Sequence, residues 1–358
     1  MRGNTIGRIF RLTTFGESHG AAIGGVIDGC PAGLEVDLDA IQRELDRRRP
    51  GSTPLGTARN EADRVEFLSG LHEGRTTGTP IAFLLRNTDA RGGDYDHLKD
   101  VYRPGHADRT WEQKFGLRDH RGGGRSSART TAACVVGGAL ARQILAQVGV
   151  VVRAHVSSVG HLHSTADPTH LDLDRAWDNP VRTADPDRVA PMQALIEQVR
   201  AEGDSIGGSI TLVARGVPPG LGEPVFDKLH ADLGKALLGI NAAKAFEIGD
   251  PGAAGRRGSE YNDPFAVRDG DVRTTSNHSG GIQGGISNGE DIVCRVSFKP
   301  VSTIARAQGT VDRDGNAVTL EAKGRHDPCV VPRAVPIVEA MACLVLTDHL
   351  LRQRTARL

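Results

Sequence analysis

Alternation with a period of two marks two stretches of this chain as strands. Ile210, Leu212 and Ala214 alternate with Ser209, Thr211 and Val213, and Ile292, Cys294, Val296 and Phe298 alternate with Asp291, Val293, Arg295 and Ser297. Successive strand side chains point to opposite faces, so each stretch predicts one face turned to a core. Spacings of three and four mark helices. Leu38, Ile41 and Leu45 share a stripe that stops before Pro50, and Leu229, Leu233, Leu237 and Leu238 share another behind Asp227, which predicts an N-cap. A longer apolar run opens at Gly124-Arg125 and extends toward Leu145; a second opens at Gly324-Arg325 and extends toward Leu351. The first contains Ala132, Ala133, Gly137, Gly138 and Ala139, small residues that permit close helix contact at the centre of a molecule. Sheets with long apolar helices against one face predict an α+β sandwich.

The pattern repeats. The stretch Glu17 to Leu34 lines up with Asp204 to Leu221: serine, glycine, isoleucine, valine and a closing G-x-P-x-G-L recur in register, and an amphipathic helix follows each copy. Gly70, Gly74, Gly78 and Ile81 echo Gly281, Gly285, Gly289 and Ile292 in the same order. The order predicts one domain over residues 1–358 built of two related halves, about 1–150 and 190–358, around a pseudo-twofold axis. Strand–turn–helix units that merely look alike account for the same matches. At the places where chemistry would sit the copies differ: His19 becomes Ile206, and Arg125-Ser126-Ser127 becomes Arg325-His326-Asp327. That divergence predicts one asymmetric site.

Composition narrows the function classes. The 44 lysines and arginines balance 44 aspartates and glutamates, and aromatic residues make up 4% of the 358 positions. Neither a general nucleic-acid or membrane attraction nor a base-stacking surface follows. The five cysteines, Cys30, Cys134, Cys294, Cys329 and Cys343, are scattered without a CxxC pair, which fits reduced thiols in a cytoplasmic protein. No signal peptide is expected, and no apolar run is expected to reach membrane-spanning length.

Several constellations carry candidate chemistry. Gly122-Gly-Gly-Arg125-Ser126-Ser127-Ala-Arg129 feeds guanidinium forks and hydroxyls into a helix start, where glycines allow close backbone approach to an anion; a capped surface loop is the plainer reading. His19 lies in Thr14-Phe-Gly-Glu-Ser-His-Gly20 and His106 in Arg103-Pro-Gly-His106-Ala-Asp108. Imidazole exchanges protons near neutral pH, and nearby charge tunes it, although turns also carry ordinary polar histidines. Neither histidine belongs to a metal-ligand cluster, so a metal ranks low. Asp46-Arg47-Arg48-Arg49-Pro50-Gly51 is an anion clamp or a solvated helix end, and Lys299-Pro300-Val301-Ser302-Thr303 is a cation with two hydroxyls or a strand anchor. Asn241-Ala242 and the run from Gly280 to Gly289 either approach a planar ligand or turn the chain.

Together these motifs resemble the chorismate synthase family. Gly16-Glu-Ser-His-Gly20 with Gly-Val-Ile-Asp-Gly-Cys-Pro, then Gly122 to Arg129, then Gly324-Arg-His-Asp-Pro-Cys329 with Ala334-Val-Pro-Ile-Val-Glu339 resemble its three signatures, and the other motifs fall between them in family order. The resemblance implies a β-α-β sandwich with helices between antiparallel sheets, and a homotetramer. It implies a 1,4-elimination of phosphate, with anti geometry, from 5-enolpyruvylshikimate 3-phosphate to chorismate, requiring reduced FMN without net redox change. By the same resemblance His19 assists phosphate departure, His106 protonates the reduced flavin, and Asp327 helps flavin N5 remove the ring proton. Arg125, Ser126, Ser127, Asn241, Ala242, Gly284, Lys299, Pro300, Val301, Ser302, Thr303 and Arg325 would hold FMN. Arg48, Arg49 and Arg129 would meet the substrate's carboxylates and phosphate. Pro54 stands where some members carry an arginine linked to nicotinamide nucleotide contact, and no flavin reductase domain is appended; an external source of reduced flavin is therefore expected. Two rivals predict other residues: a non-catalytic FMN-binding protein would have replaced His19, His106 or Asp327, and a basic-loop RNA module would carry excess charge and more aromatics.

Overall fold

The computed structural model describes residues 3–56, 61–88, 92–268, 270–321 and 327–357. Two five-stranded antiparallel sheets carry the fold. The first runs, in spatial order, Thr5–Ile6, Arg11–Gly16, Ala22–Asp28, Ile81–Arg86 and Val65–Phe67. The second runs Leu162–His163, Val151–Val159, Gly208–Arg215, Ile292–Phe298 and Ala243–Ile248. In each, the strand before the G-x-P-x-G-L turn is central, and the strand after the amphipathic helix lies at the edge. The alternation read from sequence sets the register of the second sheet: Ile210 faces Val296, Leu212 faces Cys294, and Ala214 faces Ile292.

The helices are α1 (Leu38–Arg48), α2 (Asp108–Phe115), α3 (Thr131–Ala146), α4 (Pro186–Ala201), α5 (Leu229–Leu238), the single turn α6 (Gly258–Tyr261) and α7 (Val331–Gln353). Helices α3 and α7 lie along each other, with α1 against α3 and α5 against α7; α3 also packs on the first sheet and α7 on the second. The small residues of α3 make this possible. A β-carbon on Gly138 would stand 2.4 Å from the Ala340 Cα, so only glycine lets the two backbones come this close.

Four expectations need correction. First, the glycine run does not open α3 directly: two 3₁₀ turns, Gly124–Ser126 and Ala128–Thr130, come before it. Asp227 is not a cap, because Lys228 occupies the cap position of α5 and the Asp227 carboxylate pairs instead with Arg8 and Arg352. Both faces of the strand Gly208–Arg215 are buried, since Leu173, Ala176 and Ala184 cover Val213 on the face expected to be open. Finally, α7 is long and apolar enough to cross a membrane, yet it lies wholly inside the protein, where every residue from Val331 to Leu351 except Arg333 is buried. Its polar side chains are matched there. Glu339 accepts from Arg142 at 2.7 Å and the Ala154 N–H at 2.8 Å, while Asp348 accepts from the N–H groups of Arg8, Ile9 and Phe10 at 2.9, 2.7 and 3.0 Å.

Candidate active site

Both candidate histidines rest on the same pair of glycines. Gly122 and Gly123 have φ of +66° and +105°, a region that side chains with a β-carbon rarely adopt. A β-carbon on Gly122 would lie 2.2 Å from His19 Cε1, and one on Gly123 would lie 2.9 Å from His106 Cε1. The loop is bare of side chains so that two imidazoles can press against it.

His19 sits in the turn that follows the first-sheet strand Arg11–Gly16. Buried Ser18 sets its Oγ 3.0 Å from His19 Nδ1, and the Tyr95 ring packs edge-on against the imidazole at 4.9 Å between centroids. Arg125 holds the strand end, donating to the Gly16 carbonyl at 3.1 Å and to Thr14 Oγ1 at 2.8 Å. Asn87 ties the turn from the other side: its Nδ2 donates to the Glu17 and Gly20 carbonyls at 3.0 and 2.8 Å, and its Oδ1 accepts from Arg129 Nε at 2.9 Å.

His106 closes the Arg103-Pro-Gly turn, its N–H donating to the Arg103 carbonyl at 3.2 Å. Its Nδ1 lies 2.9 Å from Asp108 Oδ1. From outside, the 299–302 loop props this turn: Ser302 Oγ donates to the Gly105 carbonyl at 2.7 Å and Lys299 Nζ to the same oxygen at 3.3 Å. Lys299 N–H reaches the Ala242 carbonyl at 2.9 Å, Asn241 Nδ2 reaches the Ser126 carbonyl at 2.7 Å, and Ser126 Oγ returns to the Gly123 carbonyl at 2.6 Å. Residues 105–106, 123–126, 241–242 and 299–302 thus form a closed ring of contacts, although they are dispersed in sequence. Within it Ala242 takes a left-handed φ of +68°, unusual for a residue with a β-carbon, and burial lowers the Lys299 pKa with help from Lys244. Ser127 caps the second 3₁₀ turn by accepting the Arg129 N–H.

The arginines divide. Arg48 and Arg129 are buried and grip one carboxylate: Arg48 Nη1 lies 2.9 Å from Asp63 Oδ2, and Arg129 Nη1 pairs with Asp63 Oδ1. Burial lowers the Arg48 pKa to about 10, with the positive charges of Arg333 and Arg129 adding to the effect and Asp63 opposing it. Arg49 is different: its side chain is 40% exposed, and among the described residues its ion pair is a long one of 3.9 Å to Asp46. Asp327 pairs with Arg333 and borders Gly56, on the same side of the molecule as the Arg48 cluster.

A cleft of about 270 Å³ opens beside the histidine-bearing loops, lined by Glu17, Gly20 and residues of the segments 107–111, 117–121 and 123–126. Pro300, Val301 and Thr303 travel with the 299–302 loop, Val301 anchored by Ser205 Oγ at 2.8 Å. Gly284 is not brought to this ring: its hairpin, Ile282–Gln283 with Ile286–Ser287, meets the start of α5, whereas Asn241 follows the end of that helix. Arg325 lies outside the described residues. Sequence reasoning missed Asp63, Asn87, Ser18 and Arg118 as parts of the site. Ser18 and Asn87 left only the signal of lying near a motif, and Asp63 left none.

The chorismate synthase family profile matches residues 10–351. Chorismate synthases of Christiangramia forsetii and Bacteroides fragilis are 55% and 56% identical, the alignments covering 100% of both chains in the first case and 99% of both in the second. That of Chloroflexus aggregans is 57% identical, over 100% of this chain and 98% of its own. A crystal structure of chorismate synthase superposes with a TM-score of 0.78 at 31% identity, over 97% of this chain and 93% of the other. With matches this long and this close, the chain belongs to the chorismate synthase family.

Proposed function

We infer that this chain is a carbon–oxygen lyase that removes phosphate from 5-enolpyruvylshikimate 3-phosphate by anti 1,4-elimination, giving chorismate at the last step of the shikimate pathway. The observation that carries the reading is the seating of His19 and His106 on consecutive glycines of one loop, which gives a single site two groups able to hold protons.

Reduced FMN is the proposed cofactor, and the donor set suits it. Arg118, Arg121 and Arg125 line the cleft. Guanidinium donors over a floor without side chains suit a planar ligand carrying a phosphate. When bound, reduced FMN supplies electron density for phosphate departure and a base for the ring proton. Arg125, Ser126, Ser127, Asn241, Ala242, Arg325 and the run Lys299 to Thr303 hold it in this reading. His19 neutralises the departing phosphate, His106 holds a proton toward the flavin, and Asp327 supports its proton-accepting edge. Arg49 has the exposure needed to meet substrate charge directly. Arg48 and Arg129, engaged with Asp63, serve the substrate through the positive field they add and through the Asn87 link to the His19 turn.

Three further proposals have support of their own. An internal duplication about a pseudo-twofold axis is supported by the matching strand order of the two sheets. A homotetramer is supported by the hairpin Phe265–Arg268 with Asp271–Thr274, where Phe265, Val267 and Val272 are 65%, 72% and 69% exposed on one face. A cytoplasmic setting agrees with five unpaired cysteines.

The test is anaerobic turnover of 5-enolpyruvylshikimate 3-phosphate with chemically reduced FMN, following chorismate absorbance, beside an arm with NADPH and oxidised FMN. Chorismate in the first arm alone is the expected result and agrees with dependence on an external reductant. Product in both arms overturns that dependence. Flavin binding without product in either arm replaces the lyase by a non-catalytic FMN-binding protein.

A further inference from the structure

The partner of His106 is more deeply built into the fold than the histidine itself. Asp108 is the first residue of α2, and its carboxylate turns back beneath the Arg103-Pro-Gly-His106 turn. Oδ1 receives Arg103 Nη2 at 2.7 Å and Oδ2 receives Arg103 Nε at 2.8 Å and the Arg103 N–H at 3.1 Å. Arg118 Nη1 lies 3.0 Å from Oδ1, and the Arg118 guanidinium is itself pinned by the Leu98, Lys99 and Val101 carbonyls. The side chains of Asp108, Arg103 and Arg118 are 3%, 4% and 3% exposed. Burial pushes the Asp108 carboxyl upward, but hydrogen bonds from Arg103 and His106 override it and hold the group far below the usual carboxylate range.

An ionised carboxylate only accepts hydrogen bonds. The hydrogen in the 2.9 Å contact therefore belongs to His106 Nδ1. Nε2 becomes the nitrogen that exchanges its proton, and it faces the glycine loop: a β-carbon on Gly123 would stand 3.2 Å from it. Free histidine favours hydrogen on Nε2, so the fold selects the less common tautomer.

We propose that Asp108 is a positioning residue: it fixes His106 in the Nδ1–H tautomer and aims Nε2 across Gly123 toward the cleft. The functional weight of this arrangement rests on the reading of His106 as a proton-holding group, but the tautomer does not. Arg103 and Arg118 hold the carboxylate in place, so the imidazole is oriented before any ligand arrives.

Solid-state nitrogen NMR of the full-length protein with isotopically labelled histidine tests it, His106 being assigned by difference from His106→Gln. At alkaline pH, where the ring is neutral, the wild-type spectrum is expected to show hydrogen on Nδ1. Asp108→Asn is expected to lose that preference and to lower kcat by about tenfold or more, with KM for 5-enolpyruvylshikimate 3-phosphate changed by less than about twofold. Hydrogen on Nε2 in the wild type overturns the proposal, as does Asp108→Asn with either an unchanged tautomer or an unchanged kcat. Should Asp108→Asn fail to fold, the wild-type spectrum alone still decides. A wild-type protein with the Nδ1–H signal but no chorismate formation sinks the lyase reading and leaves the tautomer assignment standing.

Discussion

Gly122 and Gly123 act as a common backstop for two imidazoles, those of His19 and His106, which come from loops far apart in the chain.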